Sequence, residues 1–268
     1  MEEIIIEKNI LGEVKKANKI YGLVKKGDRI LVGLSGGKDS IAMVHLFKYY
    51  QEKLRIDFKF KVVVIHYGSK EEDKPLNDLK EYFSKYGVEV EIFKTNLLGV
   101  IEKNQNKGKS ICSFVARMRR GALNKKAIDW GANKLALGQH LDDAVETFFM
   151  SLTYGGRLRS MAPKYRAKNG LEVIRPLIWV RENNLIKFVD ENKIKTIGNE
   201  FCVGLKGDKK AHVREEMKSV LVELEKKNKF LFSSVKNAMR NPDLNALFIV
   251  PEKKIFEKIL EKIAFWKK

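Results

Sequence analysis

A chain of 268 residues, 44% hydrophobic and 32% charged, is long enough to bury a real core and has the composition of a globular protein. No apolar run approaches the ~20 residues of a spanning helix, and the start MEEIIIEKNI is acidic where a secretory signal is basic. A cytoplasmic protein with no membrane association is therefore expected. Lys and Arg number 53 against 34 Asp and Glu, a net charge of +19 that attracts polyanions, although a lysine-rich solvated surface has the same composition. Two cysteines, Cys112 and Cys202, are too few for a disulfide framework.

Strand and helix patterns alternate along the chain. Ile10, Val14, Ala17, Tyr21 and Val24 recur at spacings of three and four and predict a helix over 9–25, ended by Gly27. Strand signals follow at 29–34, 60–66 (FKVVVIH), 88–93, 134–138 and 171–177, with helices between them at about 40–52, 74–86, 114–130 and 142–154. NQNKGKS at 104–110 reads as a flexible loop. Such alternation predicts an α/β fold, a parallel sheet with helices on both faces, whose ligand sits off the carboxyl ends of the strands. Beyond about residue 200 the strand signal fades into amphipathic basic helices, so the chain divides into a domain over 1–200 and a short helical C-terminal appendage over 201–268. Its last helix aligns Phe256, Ile259, Leu260, Ile263 and Trp266, a packing face or a homodimer contact.

Three stretches carry chemistry. In SGGKDS, Gly36 and Gly37 let the backbone approach a ligand, while Ser35, Lys38, Ser40 and a helix start supply hydroxyls, charge and amides for phosphate oxygens. The pattern is not G-x-x-x-x-G-K-[ST], so a γ-phosphate loop of the Walker type is excluded. In LGQHLDDAVET, Asp142 and Asp143 open a helix; they either complement its dipole or, beside a phosphate loop, hold Mg²⁺. In ICSFVARMRRGALNKKA, Cys112 precedes a helix start that lowers thiol pKa, and Arg117, Arg119 and Arg120 decorate the helix. A buried small thiol on a solvated basic helix is the plain alternative.

SGGKDS, CSFVARMRRG, LGQHLDDAVET, YGGRLRSMAPK and VIRPL, in this order, resemble the tRNA 2-thiocytidine synthetases, the TtcA-like branch of the PP-loop ATP pyrophosphatases. The resemblance spans about residues 10 to 225 and implies the adenine nucleotide alpha hydrolase-like fold. It implies ATP-dependent adenylation of the C2 oxygen of an anticodon-loop cytidine, with release of pyrophosphate, and replacement of that oxygen by sulfur. Ser35, Gly36, Gly37, Lys38, Asp39, Ser40, Gly138 and His140 are then expected to hold ATP, Lys38 and Asp39 to act in catalysis, and Asp142 and Asp143 to hold Mg²⁺. Arg117, Arg119, Arg120, Arg157, Arg159 and Lys164 are expected to frame the path of the tRNA.

The chain departs from this family in its cysteines. Relatives carry C-x-x-C pairs of which three cysteines hold a four-iron four-sulfur cluster, whereas here CSFV and EFCVGLKG offer one cysteine each. Two thiolates do not make that ligand set, so Cys112 and Cys202 are expected to act without a cluster, as a persulfide and its resolving thiol supplied by a sulfur donor such as a cysteine desulfurase. A cluster with a non-cysteine ligand is the other reading of the pair. HLDDAVET also fits a lysidine synthase-like enzyme, in which lysine attacks the adenylated cytidine, and an ATP- and RNA-binding protein without turnover would keep the same loop.

Overall fold

The structure, a computed structural model, describes residues 4–102, 111–197 and 209–248, with the backbone alone at 102, 111–113 and 209–212. The first helix, α1 (Lys8–Tyr21), ends earlier than its periodicity suggests. Gly22 takes a left-handed φ of 60° and its N–H bonds Asn18 O, while the Asn18 side chain clasps both backbone groups of Val24. That clasp pulls Val24 out of helical register although its side chain stays in the core.

The strands β1 (Arg29–Leu34), β2 (Lys59–His66), β3 (Val90–Lys94), β4 (Lys134–Ala136), β5 (Lys164–Arg166) and β6 (Glu172–Ile174) form one sheet in the order β3-β2-β1-β4-β6-β5. Every pairing is parallel except β5 with β6. β1 and β2 are covered on both faces: Ile30, Val32, Leu34, Val62 and Val64 enter one core cluster, and Leu31, Val63 and Ile65 enter the other. This explains their continuous apolar reading. The first cluster takes in α1, α2 (Lys38–Glu52), α3 (Asp73–Ser84) and α7 (Glu182–Glu191); the second takes in α4 (Leu97–Glu102) and α5 (Ile111–Asp129).

β6 stops at Ile174, short of the expected 177, because Arg175 turns its N–H to Pro163 O and Pro176 has no N–H to give. Among the described α-helices and strands, α4, the antiparallel edge strand β5 and α7 have no counterpart among the sequence expectations. α7 does carry a signal, since Leu185, Phe188 and Val189 are buried at helical spacing.

The order reverses between β1 and β4, where β2 and β3 lie to one side and β6 and β5 to the other. Such a switch point leaves a crevice beyond the carboxyl ends of the two central strands. Two compact units divide the chain, Met1–Phe232 and Ser233–Lys268. α8 (Lys209–Lys227), expected within the appendage, falls in the first unit and packs against α6 (Leu141–Thr153). α9 (Leu231–Arg240) begins in the first unit, and the second unit includes a 3-10 turn at Leu244–Ala246 capped by Asp243. The loop expected at 104–110 and the terminal helix with Phe256 and Trp266 lie outside the described residues.

Candidate active site

SGGKDS bridges β1 and α2 at the switch point. Ser35 N donates to Ser40 Oγ (3.0 Å), the two hydroxyls lie 3.0 Å apart, and Ser40 Oγ donates to Gly37 O (2.9 Å), so the turn is folded on itself. Gly36 is required twice over: its φ is +81°, and a Cβ there would lie 2.7–2.9 Å from three carbons of Ile197. Ile197 N also donates to Gly36 O (2.8 Å), tying the chain after α7 to the loop. No side chain caps α2, whose amino end faces the crevice as a site for an anion.

The chain leaving β4 forms the opposite wall. A Cβ on Gly138 would stand 3.2 Å from the Asp39 carbonyl carbon and the Ser40 nitrogen, so this glycine lets the two loops touch. His140 caps α6 reciprocally: its Nδ1 accepts from Asp143 N (3.4 Å) and Asp143 Oδ2 accepts from His140 N (3.1 Å). The proton is thereby placed on Nε2, which faces Asp143 Oδ2 at 3.6 Å and Asp39 Oδ1 at 3.8 Å. Asp39 Oδ1 is buried and accepts no hydrogen bond, its nearest cation being Lys38 Nζ at 3.4 Å. Burial pushes the Asp39 carboxyl above its usual range, against the pull of His140 and Lys38, and the neighbouring Asp143 adds to the push.

Around this centre lies an ion network that the sequence does not announce. Both Asp142 oxygens accept from Arg181 Nε (3.2 Å each), and Oδ2 also accepts from Glu182 N (2.7 Å). Asp142 therefore anchors the start of α7 and has little left for a metal. Glu182 Oε1 accepts from Lys38 Nζ (2.9 Å) and Oε2 from Lys218 Nζ (2.6 Å). Arg214 pairs with Asp143 and with Glu146 Oε2 (2.7 Å), while Arg181 pairs with Glu225 (2.7 Å) and stacks over Phe232 (3.6 Å). Within this network six carboxylates meet four cations, and Asp39 Oδ1 is its buried oxygen that accepts no hydrogen bond. Among the described residues no three His, Cys, Asp or Glu form a preformed metal cluster.

The residues expected to meet RNA come from three elements. Arg117, Arg119 and Arg120 lie on α5, Arg157 and Arg159 on the exposed segment after α6, and Lys164 on the edge strand β5. Arg175, just after β6, ties two of these regions to the crevice. Its guanidinium donates to Gln139 Oε1 (3.0 Å) and Ala162 O (2.5 Å) and lies over the Tyr165 ring (5.3 Å). Burial lowers its pKa, and the nearby Arg120 lowers it further. Cys112 sits in the first turn of α5 by its backbone; its side chain and Cys202 lie outside the described residues. The pairings of Arg181, Glu182, Arg214 and Lys218 escaped sequence reading because their partners come from distant segments, Lys38 and Glu182 being 144 positions apart.

The family pattern of the PP-loop domain matches residues 7–200. Over 240 residues the chain is 36% identical to a tRNA-cytidine(32) 2-sulfurtransferase of Geotalea daltonii, covering 89% of this chain and 93% of that protein. It is also 36% identical, over 198 residues, to the protein of the same name in Escherichia coli O139:H28, covering 74% of this chain but 63% of the longer relative. Its fold is shared with the U34-tRNA thiolase NcsA from Methanococcus maripaludis, solved with its [4Fe-4S] cluster, at a TM-score of 0.66 and 21% identity over 86% of this chain and 77% of that one. With the loop at the switch point and these relatives together, the chain belongs to the PP-loop family of ATP-binding proteins and, within it, to the tRNA-cytidine(32) 2-sulfurtransferases.

Proposed function

We propose that the chain uses ATP to activate the C2 oxygen of a tRNA cytidine and then replaces that oxygen with sulfur. The observation that carries this reading is the SGGKDS loop at the β1–β4 switch point, in a chain 36% identical to named cytidine sulfurtransferases along nearly all its length. The base oxygen attacks the α-phosphorus of ATP, and the bond to the β-phosphate breaks with the electron pair leaving on pyrophosphate. The amides of α2, Ser35, Ser40 and Lys38 hold the phosphate oxygens as that charge develops.

Magnesium fits this site at Asp39, beside the Asp142 and Asp143 pair. Asp39 Oδ1 lacks a hydrogen bond in a network with more carboxylates than cations, whereas Arg181 and Glu182 N already occupy Asp142, and Arg214 and His140 N occupy Asp143. Mg²⁺ usually takes one or two carboxylates plus phosphates and would neutralise the triphosphate when bound. The ligand set of three thiolates expected of a cluster-binding relative does not fit a chain with two cysteines.

Sulfur transfer then falls to Cys112 and Cys202. The terminal sulfur of a persulfide on one attacks C2, and the bond from C2 to the adenylate oxygen breaks, releasing AMP. The other thiolate attacks the inner sulfur, forming a Cys112–Cys202 disulfide and leaving the transferred sulfur on the base. A sulfur donor such as a cysteine desulfurase reloads the pair after a thiol reductant reopens it, in the cytoplasm where such reductants act. Five peptide units separate Ile197, bonded to the phosphate loop, from Cys202, a span of at most ~18 Å when extended.

The test is anaerobic incubation of the protein with ATP, bulk tRNA and a persulfide donor, followed by mass spectrometry of the tRNA nucleosides. 2-Thiocytidine, with AMP and pyrophosphate in equal amounts, is expected. Cys112→Ser and Cys202→Ser should each abolish thiolation but keep ATP binding, and the protein should carry little iron. Near-stoichiometric four-iron clusters would overturn the persulfide pair, and full thiolation by the double variant would overturn both sulfur mechanisms.

A further inference from the structure

One face of α8 is built toward the phosphate loop. Arg214, Lys218, Leu221 and Glu225 follow at spacings of four, three and four, which aligns them on one side of the helix. Leu221 and the adjacent Met217 are buried and fix the packing. Arg214 is held by Asp143 and Glu146, and Glu225 by Arg181, so the helix is pinned at both ends of the stripe. Lys218 lies between these pins. It donates to Glu182 Oε2 (2.6 Å), while Lys38 donates to Oε1 of the same carboxylate (2.9 Å).

A half-exposed lysine paired with one glutamate would contribute little by itself. Here the shared carboxylate changes the meaning of the pair. Burial opposes the charge of Glu182, but the hydrogen bonds from Lys218 and Lys38 outweigh it and hold its pKa down to about 2. It is thus an anion throughout the working pH range, bridging two ammonium groups with two oxygens. The terminal phosphates of a nucleoside triphosphate offer the same thing in stronger form: adjacent anionic oxygens able to span two cations.

We propose that Lys218 is a phosphate-binding residue of this enzyme, and that the β- and γ-phosphates displace Glu182 from between Lys38 and Lys218. α8 thereby contributes a cation to the pyrophosphate leaving group and reads whether the nucleotide still carries it. The proposal rests on the ATP reading above and adds to it a ligand from outside the loop.

Calorimetric titrations of the full chain with ATP, inorganic pyrophosphate and AMP test it, using wild type, Lys218→Met, Lys218→Arg, Glu182→Gln and, as a loop control, Lys38→Ala. Loss of one charge-assisted contact should weaken ATP and pyrophosphate binding ~10- to 100-fold in Lys218→Met. AMP binding should be unchanged. Lys218→Arg should recover most of the affinity, and Glu182→Gln should tighten pyrophosphate binding because the competing anion is gone. Equal affinities of Lys218→Met and wild type for ATP, or equal losses for ATP and AMP, would overturn the proposal while a defective Lys38→Ala left the ATP reading intact. Failure of the wild type to bind ATP would remove both.

Discussion

Replacing Gly36 with alanine tests the tightest contact in the site. The residue sits at φ +81°, where an L side chain costs ~1–2 kcal/mol. The new Cβ would also stand 2.7–2.9 Å from Ile197 Cδ1, Cβ and Cγ1, against about 3.5–4.0 Å for an ordinary carbon contact. Ile197 must therefore withdraw by roughly 1 Å, giving up its packing on the core and its 2.8 Å hydrogen bond to Gly36 O. That bond contributes ~0.5–1.5 kcal/mol net. Together the strained dihedral and the lost hydrogen bond amount to ~1.5–3.5 kcal/mol, met by partial unfolding or by a displaced loop. A displacement of about 1 Å at reacting groups costs on the order of 100-fold in rate. Denaturant unfolding and pyrophosphate release would be measured for Gly36→Ala, Ile197→Gly and the double variant. Ile197→Gly removes all three clashing carbons, so the double variant should show a favourable coupling of ~1–2 kcal/mol with the dihedral strain remaining. Strict additivity would refute the steric argument, and wild-type stability and turnover in Gly36→Ala would refute the account of the loop.

Asp39→Asn should leave the unfolding midpoint unchanged or slightly higher, because a buried carboxylate oxygen without a hydrogen bond is replaced by a neutral group. Mg²⁺-dependent pyrophosphate release should collapse in the same variant, and a lowered midpoint would show that the charge is structural. Binding of tRNA should weaken steeply with salt, and alanine at Arg117, Arg119, Arg120, Arg157, Arg159 or Lys164 should each flatten the log–log slope by ~1; salt-independent affinity would count against this surface. His45 is buried against Tyr82 and Phe83, and burial lowers its pKa to about 4 from 6.5. Between these values the unfolded chain binds the proton and the folded one does not, so stability rises with pH through the window and falls on acidification, by up to ~3 kcal/mol. Chemical denaturation at pH 4 and pH 7 should show that difference in the wild type and a smaller one in His45→Phe; equal slopes would exclude His45 as the source.

The parallel sheet, the loop after β1 and the helix beginning at Leu141 were legible in the sequence because each rests on a local regularity. Val62 to Ile65 read as a strand since both faces of the sheet are covered, and SGGKDS read as a phosphate loop since glycine, hydroxyl and lysine must lie together in the chain to surround an anion. The short strands β4 and β6 were placed by Leu135 and Val173, but their ends depend on where Gly138 turns away and where Arg175 bonds Pro163.

What only the tertiary structure decided is which charges meet. Asp142 and Asp143 are neighbours and look equivalent in LGQHLDDAVET, yet one is occupied by Arg181 and the start of α7, and the other caps α6 beside Asp39. Lys38 and Lys218 share Glu182 only because α7 packs on α2 and α8 packs on α6, which brings the start of α7 and one face of α8 to the loop. The side-chain periods of helix and strand are short-range properties that a sequence carries openly. A salt bridge between segments 144 positions apart has no period, and its partners are chosen by how the helices pack.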